Sequence, residues 1–236
     1  FFLGPRPFRF GGGMAEPVGT DAVAARILAE DTISASIVPT DIPGISRVHE
    51  TRVELACDCD QEAIEYIKRK DLITDVVIFS KTDLTQSLSR VKTIVQQIED
   101  IPHVNSVRLR SLFFNYEPDR YLPAAIDIIA SLNRLTIATP LRVEIETQFL
   151  VAEEITEKHE KLVRLLRNKG ITVYNNTPLL GRINDNPEAM HSLAYRCREA
   201  GMEFHHLYLA GLPIQQEWNR ENPVALYDIV DIATRI

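Results

Sequence analysis

Cysteine is scarce in this chain: three residues, Cys57, Cys59 and Cys197, in a length of 236. Three cannot build a disulfide framework, and a reducing compartment is the expected setting. Long hydrophobic runs are missing too. None reaches about 18 residues, so no membrane span is expected. The opening stretch FFLGPRPFRFGGGMAEPVG has no apolar core of about 7–15 residues leading to a small-residue cleavage site, so it does not read as a signal peptide. Cytoplasmic placement follows as the expectation. Positive charge is the third shortage: 26 Lys and Arg stand against 33 Asp and Glu, a formal charge of −7. A general nucleic-acid binder needs a basic surface, and no nucleic-acid partner is expected.

Several motifs are missing as well. There is no GxGxxG for a dinucleotide, no GxxxxGK[ST] phosphate loop, no HExxH or HxH pairing for a histidine metal site, and no GxSxG elbow. No metal ligand set and no catalytic residue can be named from such patterns. Cys57-x-Cys59 offers two thiols at a spacing unlike zinc motifs, and Cys197 sits on the apolar face of a helix pattern, where it reads as core.

What is present is a rhythm of short β-rich runs and amphipathic helices. Strands are expected at 52–57, 75–79, 106–110, 141–147, 171–174 and 203–209. Helices are expected at 61–70, 84–98, 123–132, 154–169, 187–200 and 223–236. After the first, the strands start about 30 residues apart, the length of one βα repeat. This makes the fold class α/β, a partial (β/α) barrel of about six βα units, with a doubly wound sheet as the alternative. Residues 1–19 read as a tail or upstream segment. Residues 20–50 read as an N-terminal helix (21–30) and linker, and 51–236 as the barrel domain, truncated at its C-terminal end.

In a parallel barrel the C-terminal strand ends share one rim, where sites are built. Polar residues gather there: Cys57-Asp58-Cys59, Ser80-Lys81-Thr82-Asp83, Arg110-Ser111, Thr147-Gln148, Asn175-Asn176-Thr177, then His206, Tyr208 and Gly211. Turn chemistry alone would also make strand ends polar, and Asp83 could simply cap a helix. His205 and His206 are adjacent in a strand, so at most one is expected to point inward.

The segments IEDIPHVNSVRLRS, ETQFLVAEEITEKHEKLVRLLRNKGITVYNNTPLLGRINDNPEAM and FHHLYLAGL resemble the lysine 2,3-aminomutase family of radical S-adenosylmethionine enzymes, from roughly Pro39 onward. The resemblance implies a partial (β/α) barrel and a 1,2-amino shift on an amino acid. It also implies S-adenosylmethionine, a [4Fe–4S] cluster and pyridoxal phosphate as cofactors. The family's Ser-Gly-Gly-Asp turn corresponds to Ser80-Lys81-Thr82-Asp83, its Thr-His-Phe to Thr147-Gln148-Phe149, and its Asn-Gln-Ser to Asn175-Asn176-Thr177. The match makes Ser80, Asp83, Gln148, Asn175 and Asn176 the expected cofactor-binding rim, and Asp185 the expected substrate carboxylate.

Departures accompany the match. The family's CxxxCxxC loop is replaced by RVELACDCDQEAIEYI, with two cysteines where the cluster requires three thiolates. A second substrate carboxylate is replaced by Ala210-Gly211-Leu212, and the family's pyridoxal-phosphate lysine corresponds to no residue up to Ile236. The expectation is therefore an aminomutase-like protein, degenerate or incomplete and inactive as given, without cluster or pyridoxal phosphate. It is either a truncated form of an enzyme or a pseudo-enzyme. The alternative is a non-catalytic barrel binding a small polar or amino-acid ligand or a protein partner, with a homo-oligomer compatible with its open edge.

Overall fold

Alternation decides the sheet. In RVELA, SVRLRS and RVEIET the second and fourth residues are aliphatic, and those aliphatic residues turn to one face. Val53, Leu55, Val76, Ile78, Val107, Leu109, Val143, Ile145 and Val173 are all buried there. The computed structural model describes residues 40–80, 84–121, 127, 129–133, 141–209 and 213–235. Within them one seven-stranded sheet runs in chain order. Its strands are β1 Ile45–His49, β2 Arg52–Ala56, β3 Asp75–Ser80, β4 Ser106–Ser111, β5 Arg142–Thr147, β6 Thr172–Leu179 and β7 Glu203–Leu209. β1 pairs antiparallel with β2, and every later pairing is parallel. A doubly wound sheet reverses its strand order at a switch point. This order never reverses, which leaves a half-barrel and bears out the partial (β/α) barrel.

Helices cover the aliphatic face. α1 (Gln61–Lys68) buries Ala63, Ile64 and Ile67. α2 (Leu84–Glu99) contributes Val91, Ile94, Val95 and Ile98 at helical spacing. A single turn, α3 (Leu112–Tyr116), follows β4. α4 (Glu157–Arg167) buries Leu162, Val163 and Leu166, and α5 (Pro187–Ala200) buries Met190, Leu193, Cys197 and Ala200. α6 (Pro213–Glu221) and α7 (Leu226–Arg235) close the described chain. No helix among the described residues is long and apolar enough to cross a membrane.

Four departures from the sequence expectation have physical causes. Ile45–His49 is a strand of the sheet, although it was expected to be linker; its ISRVH offers a backbone edge to β2 that hydropathy alone does not reveal. β6 continues to Leu179, so Asn175, Asn176 and Thr177 are strand residues and not loop residues. α6 was not expected, because PIQQEWNRE is mostly polar, with Ile214 and Trp218 its large apolar residues. The helix expected at 154–169 starts at Glu157, after a 3₁₀ turn at Ala152–Glu154. The expected helix at 123–132 is described only in part, and residues 129–133 are helical. The expected helix at 21–30, and Lys81, Thr82 and Asp83, lie outside the described residues.

α5 shows how local sequence sets an element's ends. Asn186 has extended backbone and its side chain accepts the Ala189 amide at 2.9 Å, while Pro187 occupies the first helical position. Gly201 stops the helix at φ 82°, a left-handed conformation that favours glycine. Replacing Asn186 with Ala should lower unfolding stability by about 1 kcal/mol, read as a shift of the urea midpoint with an unchanged m-value.

Candidate functional site

The face turned away from the helices is charged. Arg52 and Glu54 of β2, Arg108 and Arg110 of β4, and Glu144 and Glu146 of β5 alternate with the aliphatic residues and project to the concave side. Arg110 is the centre. Its guanidinium holds Glu54 through two hydrogen bonds of 2.9 and 2.7 Å and reaches Glu146 at 3.1 Å. Arg52 pairs with the other oxygen of Glu146. Arg108 donates to Glu144 at 3.0 Å and stacks over the Tyr174 ring at 4.9 Å, and the Tyr174 hydroxyl donates to Glu144 at 3.3 Å.

These groups sit deep. Arg110 is 4% exposed, Glu54 3% and Glu146 1%. Burial alone would lower the pKa of a guanidinium, but Glu54 and Glu146 outweigh it and hold Arg110 above its ordinary value. The three arginines and three glutamates balance, so a neutral ligand or zwitterion meets a polar surface of no net charge.

The rim residues divide by strand parity. Phe79 lies under Arg110 on the concave side, so Ser80, one residue on, points to the helices; its hydroxyl is 3.0 Å from that of Ser87 on α2. Asn175 also faces the helix side. Its Oδ1 accepts from the Thr147 hydroxyl at 2.9 Å and the Phe149 amide at 2.7 Å, and its Nδ2 donates to the Phe149 carbonyl at 3.0 Å and to Thr177 at 2.7 Å. That side chain is fully occupied in joining β6 to the segment after β5. Asn176 pairs in register with His206 on the concave side. Gln148 reaches the same side, and its Nε2 donates to the Tyr208 hydroxyl at 3.0 Å.

Two of these atoms have no partner among the described residues: Oε1 of Gln148 and Oδ1 of Asn176. Both residues are at least nine-tenths buried. Buried polar atoms are normally satisfied, so two acceptors left over on one face indicate where a donor-bearing ligand could sit. Tyr208 lies beside them, its hydroxyl pushed well above the usual range by burial. Asp185 stands on the loop after β6, half-buried, where its Oδ2 accepts the Arg182 amide at 2.8 Å and shapes a turn with Arg182 at φ 62°. Arg182, a non-glycine residue, holds that left-handed conformation against its own preference.

The histidine expectation is corrected. The β6–β7 register slips between Asn175 and Asn176, so His205 and His206 both turn toward the concave side. Their rings meet at 4.3 Å, and His205 lies 4.9 Å from the Tyr174 ring. A bulge breaks the two-residue period and re-aims a side chain.

The β2–α1 connection decides what the cysteines can do. Residues 57–60 are all that separate strand from helix. Arg90 of α2 donates to the backbone carbonyls of both Cys57 and Cys59, which fastens the loop to the helix layer. Cys59 is 4% exposed, and burial raises its thiol to about 11. Cys197 is raised to about 12 by burial inside α5's apolar face. Iron–sulfur ligation needs thiolates. Two thiols on a clamped four-residue loop, one of them protonated by burial, do not fit a three-thiolate cluster site. Among the described residues, no three His, Cys, Asp or Glu side chains gather so as to hold a metal ion.

The charged interior was missed by reading strand ends alone. The signal that would have found it is the alternation of Arg and Glu inside RVELA, SVRLRS and RVEIET, charged at every second position of strands flanked by buried neighbours.

No family model matches the chain. Curated relatives do. A putative L-lysine 2,3-aminomutase of Aquifex aeolicus is 33% identical over 131 residues, covering 55% of this chain and 33% of the relative. The L-lysine 2,3-aminomutase of Acetoanaerobium sticklandii is 27% identical over 163 residues, covering 69% of this chain and 37% of the relative. The glutamate 2,3-aminomutase of Clostridioides difficile is 29% identical over 133 residues. The matched stretch thus spans about a third of the length of these relatives, and over it the chain is similar to lysine and glutamate 2,3-aminomutases.

Two outcomes follow from the concave face. Arg110→Met removes two hydrogen bonds from the buried Glu54 and one from Glu146, which keeps Arg52, and should cost about 3–5 kcal/mol in urea unfolding, with much of the loss recovered when Glu54→Gln is added. For His205, burial, His206, Arg108 and Arg52 lower the pKa to about 4. The unfolded chain therefore takes up a proton first, so stability present above about pH 6.5 is lost as pH falls toward 4. His205→Asn should flatten that part of the stability–pH curve, measured by urea midpoints at half-unit pH steps.

Proposed function

We propose that the chain belongs to the lysine 2,3-aminomutase family and is an aminomutase-like half-barrel holding a small polar or amino-acid ligand on its concave face. We further propose that this stretch of chain does not generate a radical. The carrying observation is the pair of unpartnered buried acceptors, Gln148 Oε1 and Asn176 Oδ1, beside Tyr208 and the Arg110 network. Unpartnered acceptors suit the ammonium or hydroxyl donors of an amino acid or of S-adenosylmethionine. Asp185, on the adjoining loop, is the carboxylate nearest in role to a substrate ammonium partner, and Ser80 and Asn175 support the rim from the helix side.

The absence of turnover rests on the 57–60 loop, whose thiols do not fit a cluster. No lysine occurs in any of the seven strands, so none of them supplies the amine that anchors pyridoxal phosphate. Cytoplasmic function belongs to the same reading, on the strength of the unpaired cysteines. A second reading, pairing with another domain or a second copy, is favoured by Leu209 on β7, the end strand of the sheet among the described residues, and by Leu226, Tyr227 and Val230 of α7, all exposed. Size-exclusion chromatography with light scattering measures it directly.

Thermal-shift titration with S-adenosylmethionine and with amino acids tests ligand binding. At about a hundredfold excess over Kd the stabilisation is about 2.7 kcal/mol. Asn176→Leu and Gln148→Leu should each abolish the shift. No shift with any ligand at millimolar concentration would remove the binding function. Anaerobic reconstitution with iron and sulfide should leave the visible spectrum blank; a stoichiometric iron–sulfur absorbance would instead restore the radical enzyme.

A further inference from the structure

His205 and His206 of β7 stand at one corner of the concave face, both exposed. Their rings meet at 4.3 Å, and His205 is kept in place beside the Tyr174 ring. Neither imidazole hydrogen-bonds to another described residue, so the ring nitrogens are uncommitted. The rest of the charged floor differs in this respect. Arg52 is committed to Glu146, Arg108 to Glu144, and Arg110 to Glu54 and Glu146.

The setting of the two rings favours one sign of charge. Burial, then His206, Arg108 and Arg52, lower His205 to about 4. Burial, then Arg52 and Arg108, lower His206 as well. On both rings Glu146 opposes the two arginines and is the weaker influence. Desolvation penalises charge of either sign, whereas the arginines penalise positive charge alone. The corner therefore prefers an anion to a cation. Each neutral imidazole keeps one ring N–H, so the pair presents two donors to that anion.

The same groups limit what the anion can be. The three arginines are already paired, so a dianion finds no uncommitted cation among them. A carboxylate carries one charge and accepts from two N–H groups at once. Asn176, an acceptor side chain on the same face, is the register partner of His206. Neighbouring strands lie about 4.8 Å apart. Donors for a carboxylate and an acceptor for an ammonium thus stand side by side, as those two groups do on an α-carbon.

We propose that His205 and His206 receive the carboxylate of an α-amino acid through their ring N–H groups, and so select the acid over its amide. This assignment rests on ligand binding at the concave face and adds which end of the ligand meets β7.

Isothermal titration of the full chain at pH 7 with L-lysine, L-glutamate and L-alanine, and with the α-amide of each, tests it. At least one acid should fill a single saturable site, and its amide should bind at least about tenfold more weakly. His205→Phe and His206→Phe keep an aromatic ring and remove the donors. Each should weaken the acid by about tenfold and bring acid and amide close to equal, with urea midpoints showing that the variants are folded. His206→Gln, which supplies a side-chain N–H, should retain part of the preference. Equal binding of acid and amide by the unaltered chain would overturn the proposal and leave ligand binding on the concave face standing. An acid preference undiminished in both Phe variants would overturn it too. Binding of neither acid nor amide would remove the proposal together with the ligand function it rests on.

Discussion

One guanidinium spans the middle of this sheet. Arg110, on β4, reaches Glu54 on β2 and Glu146 on β5, crossing β3 to do so, and Arg52 completes the pair on Glu146. Each charge alone would cost several kcal/mol to bury. Together they make a neutral, rigid floor whose members cannot rotate away without stranding another. The helices hold the sheet from outside through aliphatic contact, which is non-directional. Directional order inside comes from this network, and Gln148, Asn176 and Tyr208 lie on the same concave side.

The fold was legible because parallel strands and their helices impose two clear periods on the sequence. β3, with its DVVIF run, and α2, with apolar residues at helical spacing, declared themselves. β1 did not: ISRVH is stabilised by pairing with β2, a tertiary interaction with no local signature. α6 was hidden for a similar reason, since its Trp218 and Asn219 bond to Gly181 and Leu179, 37 and 40 residues away.

The site was legible in part. Residues at strand ends could be listed, but rim membership does not say which way a side chain turns. Parity does, and it sends Ser80 and Asn175 to the helices while Asn176 and Gln148 meet the concave face. The bulge that brings His205 and His206 to one side breaks parity, and nothing in FHHLYL announces it. Glu154 looked like an ordinary helix-start residue; only the fold shows that one oxygen is committed to backbone amides and the other is not.

The clamp formed by Arg90 has a consequence for anyone rebuilding this protein. Grafting a cysteine-bearing loop between β2 and α1 would not be a simple insertion, because the present turn is stapled to α2 through both Cys57 and Cys59 carbonyls. Lengthening it would free Arg90 and uncover the turn beside Gly44, whose left-handed backbone sits directly against Cys59. Loop, Arg90 and the Gly44 turn behave as one module, and a graft that exchanges all three together has the better chance of folding.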